Sequence, residues 1–270
     1  MQQRPIAIVT GAGSRGAGVG NGRAIAAVLA REGFDLVLVD RSADALDATI
    51  ELVADHGEAE VHPVVGDVAD LATCDDIVAT ANGAGGPLRA VVNNVGVFGP
   101  EDGIAGADVD TWGPAWHVNV TSMALLARFA IPSMTRTGGG AIVNLASVAA
   151  LAGTGTDSLF YSASKGAIVA LTRQLASRHG PDGVRVNCVA PGMVETPMVE
   201  GRSSDESRIR RRMACPMRRE GTAWDVAEAV GFLVSERARW ISGVVLPVDG
   251  GLMAVVPSTE GPWPGEPIRA

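Results

Sequence analysis

The chain has 270 residues, 47% of them hydrophobic, enough to bury one sizeable core. Its formal net charge is −8, with 30 acidic against 22 basic side chains, which weighs against a nucleic-acid partner because a phosphate backbone needs a clustered positive surface. No apolar stretch approaches the roughly 20 residues of a membrane-spanning helix, and the amino terminus shows no long apolar run, so neither a membrane segment nor a signal peptide is expected.

Residues 6–10 read as a first strand, followed by a glycine-rich turn and a helical pattern over 22–32. Residues 35–40 form a second strand with an unbroken Leu-Val-Leu-Val centre, then a helical stretch runs to about residue 55. Later strands are expected at 61–65, 89–93, 141–145, 184–189 and 244–248, with helices near 70–81, 108–130, 158–179 and 223–236. Strands this apolar on both faces belong in a parallel sheet covered by helices. The alternation predicts an α/β, doubly wound (Rossmann-type), mostly parallel seven-stranded sheet with helices on both faces, in a single domain over 1–270. Residues 197–221 exceed the usual αβ connection and are expected to form a substrate lid. Residues 257–270, with four prolines, are expected to form an extended tail. The basic run of Arg208, Arg210, Arg211 and Arg212 is read as solvated surface, with a site for an anionic substrate as the alternative. Cys74, Cys188 and Cys215 fit neither a metal-ligand spacing nor a disulfide framework, so a reducing cytoplasm is expected; the four scattered histidines predict no metal site.

The turn after the first strand carries Gly11, Gly13, Ser14, Gly16, Gly18, Gly20, Asn21 and Gly22. Glycines there allow backbone N–H groups to approach a pyrophosphate, and the following helix N-terminus favours its negative charge. Asp40 ends the second strand, where a carboxylate accepts hydrogen bonds from adenosine ribose hydroxyls and repels a 2′-phosphate. NAD is therefore favoured over NADP, although Arg15 and Arg41 are placed to offset the repulsion.

Tyr161 and Lys165 stand four apart on a predicted helix, hence on one face. They follow strand five, at the carboxyl edge where doubly wound sheets bind ligands. A phenol titrates near pH 10 when unperturbed, and a neighbouring ammonium together with the positive nicotinamide ring of NAD⁺ is expected to lower that value enough for Tyr161 to exchange a proton with a substrate oxygen. Ser147, fourteen residues earlier at the end of strand five, can hold the reacting oxygen. No G-x-S-x-G elbow surrounds Ser147, which argues against a hydrolase.

Over residues 5–252 the sequence resembles the short-chain dehydrogenase/reductase family. Thr10-Gly11 and the following glycines resemble its TGxxxGxG turn, about five residues longer here, so that Gly20, Asn21 and Gly22 take the place of the later motif positions and residues 15–19 are an insert. Gly66-Asp67-Val68 resembles the adenine-contacting turn, and Asn93-Asn94-Val95-Gly96 the NNAG strand end, with Val95 where the family usually has Ala. Asn119, Ser147, Tyr161 and Lys165 fall where the family has its catalytic tetrad; the resemblance makes Asn119 a relay residue leading to Lys165. Pro191, Gly192, Val194 and Thr196 resemble the stretch that meets the nicotinamide. The resemblance implies an NAD(H)-dependent interconversion of a secondary alcohol and its ketone, and a homotetramer. The alternatives are an NADPH-dependent 3-oxoacyl-thioester reductase and, in another class, a non-catalytic dinucleotide sensor. Residues 95–98, 148–160, Met193, Val194 and the lid are expected to line the substrate pocket.

Overall fold

The computed structural model describes residues 3–14, 16, 18–101, 103–153, 158–199 and 204–255. Strands β1 (Ile6–Thr10), β2 (Asp35–Asp40), β3 (Val61–Val65), β4 (Leu88–Asn93), β5 (Gly140–Leu145), β6 (Val184–Pro191) and β9 (Val245–Val248) form one sheet in the order β3-β2-β1-β4-β5-β6-β9. Every pairing in it is parallel. The strand alternation divides the core between two faces. Ala7 and Val9 of β1 face one cluster with α1 (Asn21–Arg31) and α8 (Ala223–Val234). Ile6 and Ile8 face the other, with α3 (Leu71–Gly83) and α5 (Ser122–Arg136). Helices α2 (Ala43–Ala54), α4 (Val109–Trp116), α6 (Leu159–His179) and α7 (Asp205–Ala214) complete the set of α-helices among the described residues.

Between β1 and β4 the winding reverses, which opens a crevice at the carboxyl ends of these strands. Thr10, Asn93 and Leu145 end their strands there, so the glycine turn, the 94–98 loop and Ser147 are brought to one rim. Both outer strands carry a proline, Pro63 in β3 and Pro247 in β9. Leu36 N–H donates to Glu60 and Gly66 N–H to Asp40, so even-numbered residues of β3 face β2 and Pro63 faces outward. The same parity, from Cys188 N–H to Val244 and Gly192 N–H to Val248, turns Pro247 outward in β9.

Two expectations change. The helix expected over 108–130 is α4, a π-helical turn at His117–Thr121, and α5. The wide turn carries Asn119, whose side chain is wholly buried and bonded to the 94–98 loop. The expected lid at 197–221 contains a helix, α7, capped by Ser204, acidic in its first turn and basic in its last. None of its residues is buried. Strand β7 (Val194–Glu195) pairs with β8 (Gly221–Thr222) at the lid's base. Residues 200–203 of the lid, residues 154–157 of the expected pocket wall, Arg15 and Ala17 of the insert, and the tail at 257–270 lie outside the described residues. No helix among the described residues is long and apolar enough to cross a membrane.

Candidate active site

A cleft of about 780 Å³ runs along the carboxyl edge of the sheet. At its centre β1 is followed by Gly11, at φ 62°, where a side chain would be strained. A methyl group at residue 22 would lie 1.9 Å from the Gly11 carbonyl oxygen, so the helix can start against the turn only with Gly22. Asn94 secures the turn, its Nδ2 donating to the carbonyls of Thr10 (3.2 Å) and Gly11 (2.9 Å), while its N–H donates to Thr10 Oγ1 (3.1 Å). Gly20 caps α1 with no side-chain acceptor, and the helix's first turn contains no acid. Ser14 Oγ and Asn21 Oδ1, both in residues lining the cleft, are buried without a partner. A helix N-terminus with free donors and unsatisfied polar atoms beside it is suited to a phosphate-bearing ligand.

One arm of the cleft ends at Asp40. Its Oδ2 accepts from Gly13 N–H at 3.0 Å and its Oδ1 from Ser42 N–H at 3.2 Å, which fixes the carboxylate at the end of β2. Arg41 is turned toward Asp67, 3.6 Å from its carboxylate, and Asp67 also accepts from Ala69 N–H. Asp67 and the buried Val68 form the side wall.

The other arm holds Ser147, Tyr161 and Lys165. Ser147 follows β5 and accepts from Ala149 N–H, a short turn that keeps its hydroxyl beside the Tyr161 phenol, to which it is hydrogen-bonded. Lys165 is almost wholly buried, its Nζ donating to the Leu145 carbonyl at 2.9 Å and lying 5.6 Å from the centre of the Tyr161 ring. Burial lowers its pKa to about 8. A methyl group at residue 96 would come within 3.1 Å of that Nζ, so Gly96 makes room for the ammonium. The Tyr161 phenol itself is shifted upward, by burial first, against the lowering hydrogen bond from Ser147. Within the chain itself desolvation outweighs the Ser147 hydrogen bond, so the lowering expected from the sequence belongs to the site with the positive nicotinamide ring beside it.

Asn119 stands behind this wall rather than in the cleft. Its Oδ1 accepts from Val97 N–H (2.8 Å) and its Nδ2 donates to the Val97 carbonyl (2.9 Å) and to Ser164 Oγ (3.0 Å). Ser164 in turn donates to the Tyr161 carbonyl at 2.9 Å. The side chain thus ties the 94–98 loop to the helix bearing Tyr161.

Pro191, Gly192, Val194 and Thr196 close the cleft opposite, as placed from sequence, together with Met193 and the lid's Pro197 and Met198. Arg211, within the expected lid and in the run whose alternative reading is an anionic-substrate site, is a wall residue that the sequence did not single out. It donates through Nε to Glu220 and through Nη2 to the Val194 carbonyl at 3.2 Å. Its neighbours in the basic run are paired at the surface, Arg208 with Glu195 and Arg210 with Glu206. The signal available was helical spacing, since Arg208, Arg211 and Glu195 gather at the lid's base.

Comparison with known proteins agrees with this arrangement. Residues 16–253 match the family model described as enoyl-(acyl carrier protein) reductase. The chain is 39% identical over 230 residues to the inactive 2-(S)-hydroxypropyl-CoM dehydrogenase 2 of Xanthobacter autotrophicus, covering 83% of this chain and 97% of that one. It is 33% identical over 252 residues to the 7alpha-hydroxysteroid dehydrogenase of Bacteroides fragilis, covering 93% and 95%. Among solved structures, levodione reductase superposes with a TM-score of 0.88 at 31% identity, over 95% of this chain and all of that one. With the parallel seven-stranded sheet, the glycine turn at its switch point and the serine, tyrosine and lysine on one rim, these likenesses establish that the chain belongs to the short-chain dehydrogenase/reductase family.

Proposed function

We propose that the protein interconverts a secondary alcohol and its ketone, using NAD(H) in preference to NADP(H), with Tyr161 as the acid/base. The observation that carries this reading is one cleft that joins an anion-ready helix N-terminus, a carboxylate at the end of β2, and the Ser147–Tyr161–Lys165 wall. When bound, the dinucleotide donates or accepts the hydride. The unsatisfied Ser14 hydroxyl and the glycine cradle fit its pyrophosphate, while Gly11, Gly20 and Gly22 let it approach the backbone. Asp40 receives the adenosine ribose hydroxyls, and Asp67 and Val68 border the adenine. Asn94 and Gly96 floor the central part; Pro191, Gly192, Val194 and Thr196 meet the nicotinamide end. Lys165 holds the nicotinamide ribose hydroxyls.

Tyr161 donates its phenolic proton to a carbonyl oxygen in the reductive direction, leaving the phenolate, and in the oxidative direction the phenolate takes the hydroxyl proton. Ser147 holds that oxygen against the phenol. Asn119 fixes the spacing of the wall through Val97 and Ser164. The names of 7alpha-hydroxysteroid dehydrogenase and levodione reductase support an alcohol or ketone substrate. A cytoplasmic, single-domain homotetramer acting on a small molecule belongs to the same proposal and rests on the family likeness.

The acyl-thioester reductase reading drew its support from the arginine run as a site for a phosphorylated carrier, and carboxylates pair with Arg208, Arg210 and Arg211. The sensor reading is disfavoured by the retained Asn119, Ser147, Tyr161 and Lys165. The test is a pair of titrations with NADH and NADPH, read by energy transfer from the protein's five tryptophans. Tighter NADH binding is expected, followed by NAD⁺ reduction with secondary alcohols. Tyr161→Phe should then bind NADH normally and lose about a hundredfold or more of turnover. Tighter NADPH binding, or near-normal turnover in Tyr161→Phe, would sink the reading.

A further inference from the structure

Arg23 lies in the first turn of α1 and is 7% exposed. Among the described residues no carboxylate stands within ion-pair distance of its guanidinium. Its acceptors are three backbone carbonyls: Nη1 donates to Gly18 (3.2 Å) and Gly16 (3.5 Å), and Nη2 to Ala45 of α2 (3.5 Å). Its Nε is buried with no partner. A guanidinium stays charged at all accessible pH, and burying it without a counter-charge is costly. Arg211, elsewhere on the cleft, shows the ordinary solution, a buried carboxylate. The other groups at this turn suited to an anion are the positive end of α1, with no acid in its first turn, and the cleft-lining Ser14 hydroxyl, buried without a partner. Positive potential accumulates at the start of α1, and the carboxylate nearest the turn among the described residues, Asp40, is engaged by the Gly13 and Ser42 N–H groups rather than by Arg23.

We infer that the anion missing beside Arg23 is the pyrophosphate of the dinucleotide, and that the Gly16 and Gly18 carbonyls of the lengthened turn hold this cation behind the phosphate site. The inference rests on the reading of the cleft as a dinucleotide site. Arg23 does not line the cleft; it acts through its field and through the loop. By drawing the Gly18 carbonyl toward itself, the guanidinium turns the Val19 N–H of the same trans peptide the opposite way. The loop is held on its other side by Pro197, at the root of the lid, where a methyl group on residue 18 would come within 3.0 Å of the ring. Arg23 is thus a positioning and charge-supplying residue rather than a catalytic one.

The experiment measures binding of NADH, ADP-ribose and adenosine to the wild type and to Arg23→Met, Arg23→Gln and Arg23→Lys, together with the melting temperature of each with and without NADH. Arg23→Met should bind NADH and ADP-ribose about tenfold more weakly, with adenosine, which has no phosphate, unaffected. Arg23→Lys should retain most of the affinity. Arg23→Gln keeps donors for the loop carbonyls without the charge, so it carries the test if Arg23→Met fails to fold. The rise in melting temperature caused by NADH should shrink in the Met and Gln variants. Undiminished NADH affinity in both would overturn the inference, as would a parallel loss for adenosine, which marks a structural role. A wild type that binds no dinucleotide would remove the cleft reading and this inference together; normal wild-type binding with unchanged variants removes this inference alone.

Discussion

Lys165 is a buried ammonium whose nearest polar partner in the described structure is a backbone carbonyl. Cys188, the charged-state partner that faces it from β6, is itself a thiol pushed up to about 11 by burial, hence neutral at pH 7. The folded chain therefore bears a desolvation cost wherever the lysine is protonated. Below pH 8 the ammonium is present both folded and unfolded and the cost is full. Between about 8 and 10.5 the folded chain sheds the proton first, so this group's penalty fades as pH rises. The depression corresponds to roughly 3 kcal/mol, and losing the donor to the Leu145 carbonyl offsets about 1 of it. Lys165→Met should accordingly gain on the order of 2 kcal/mol of stability at pH 7 while losing turnover. Urea denaturation at pH 7 and pH 10 checks this: a variant less stable than wild type at pH 7 would contradict it. The site's residue types were legible in sequence because each is tied to a motif position. The direction of the Tyr161 shift was not, since it depends on how completely α6 and the 94–98 loop shut out water.

At the scale of elements, the strands and most helices were legible because buried parallel strands leave long apolar runs and the helices between them leave amphipathic ones. Helix α7 was not, since none of its residues is buried and its signal is a cap and a charge gradient rather than a period. The π turn at His117–Thr121 was not legible either, because it exists to point Asn119 at Val97, a contact made across 22 residues. The junction of β1 and α1 is the element contact most sensitive to a single atom. Gly22→Ala would drive a methyl group to 1.9 Å from the Gly11 carbonyl oxygen, contact with backbone that no rotamer can relieve. We expect a loss of about 3 kcal/mol in denaturation and of NADH affinity with it. A Gly22→Ala protein of normal stability would mean that the helix start is looser than its geometry implies.

Across the whole molecule, helix α7 of the lid, none of whose residues is buried, is attached to the body through ion pairs. Glu220, whose side chain is 5% exposed, pairs with Arg211, which also grips Val194 on β7, and Arg208 reaches Glu195 on the same strand. Glu220→Gln should therefore free α7 without unfolding the sheet. Hydrogen exchange over 205–214 is expected to quicken while the strand amides keep their protection. Equal quickening throughout would show that the pair supports global rather than local stability.

The two prolines on the outer strands bear on how copies of this protein meet. A parallel sheet ends in two rows of unpaired donors and acceptors, each a template onto which a stray strand could dock. Pro63 and Pro247 each remove a donor from those rows, since both face away from the sheet. Fibril-like growth by strand addition is thereby interrupted at both margins. A stray strand that continued either edge would have to do so across a position with no N–H to offer.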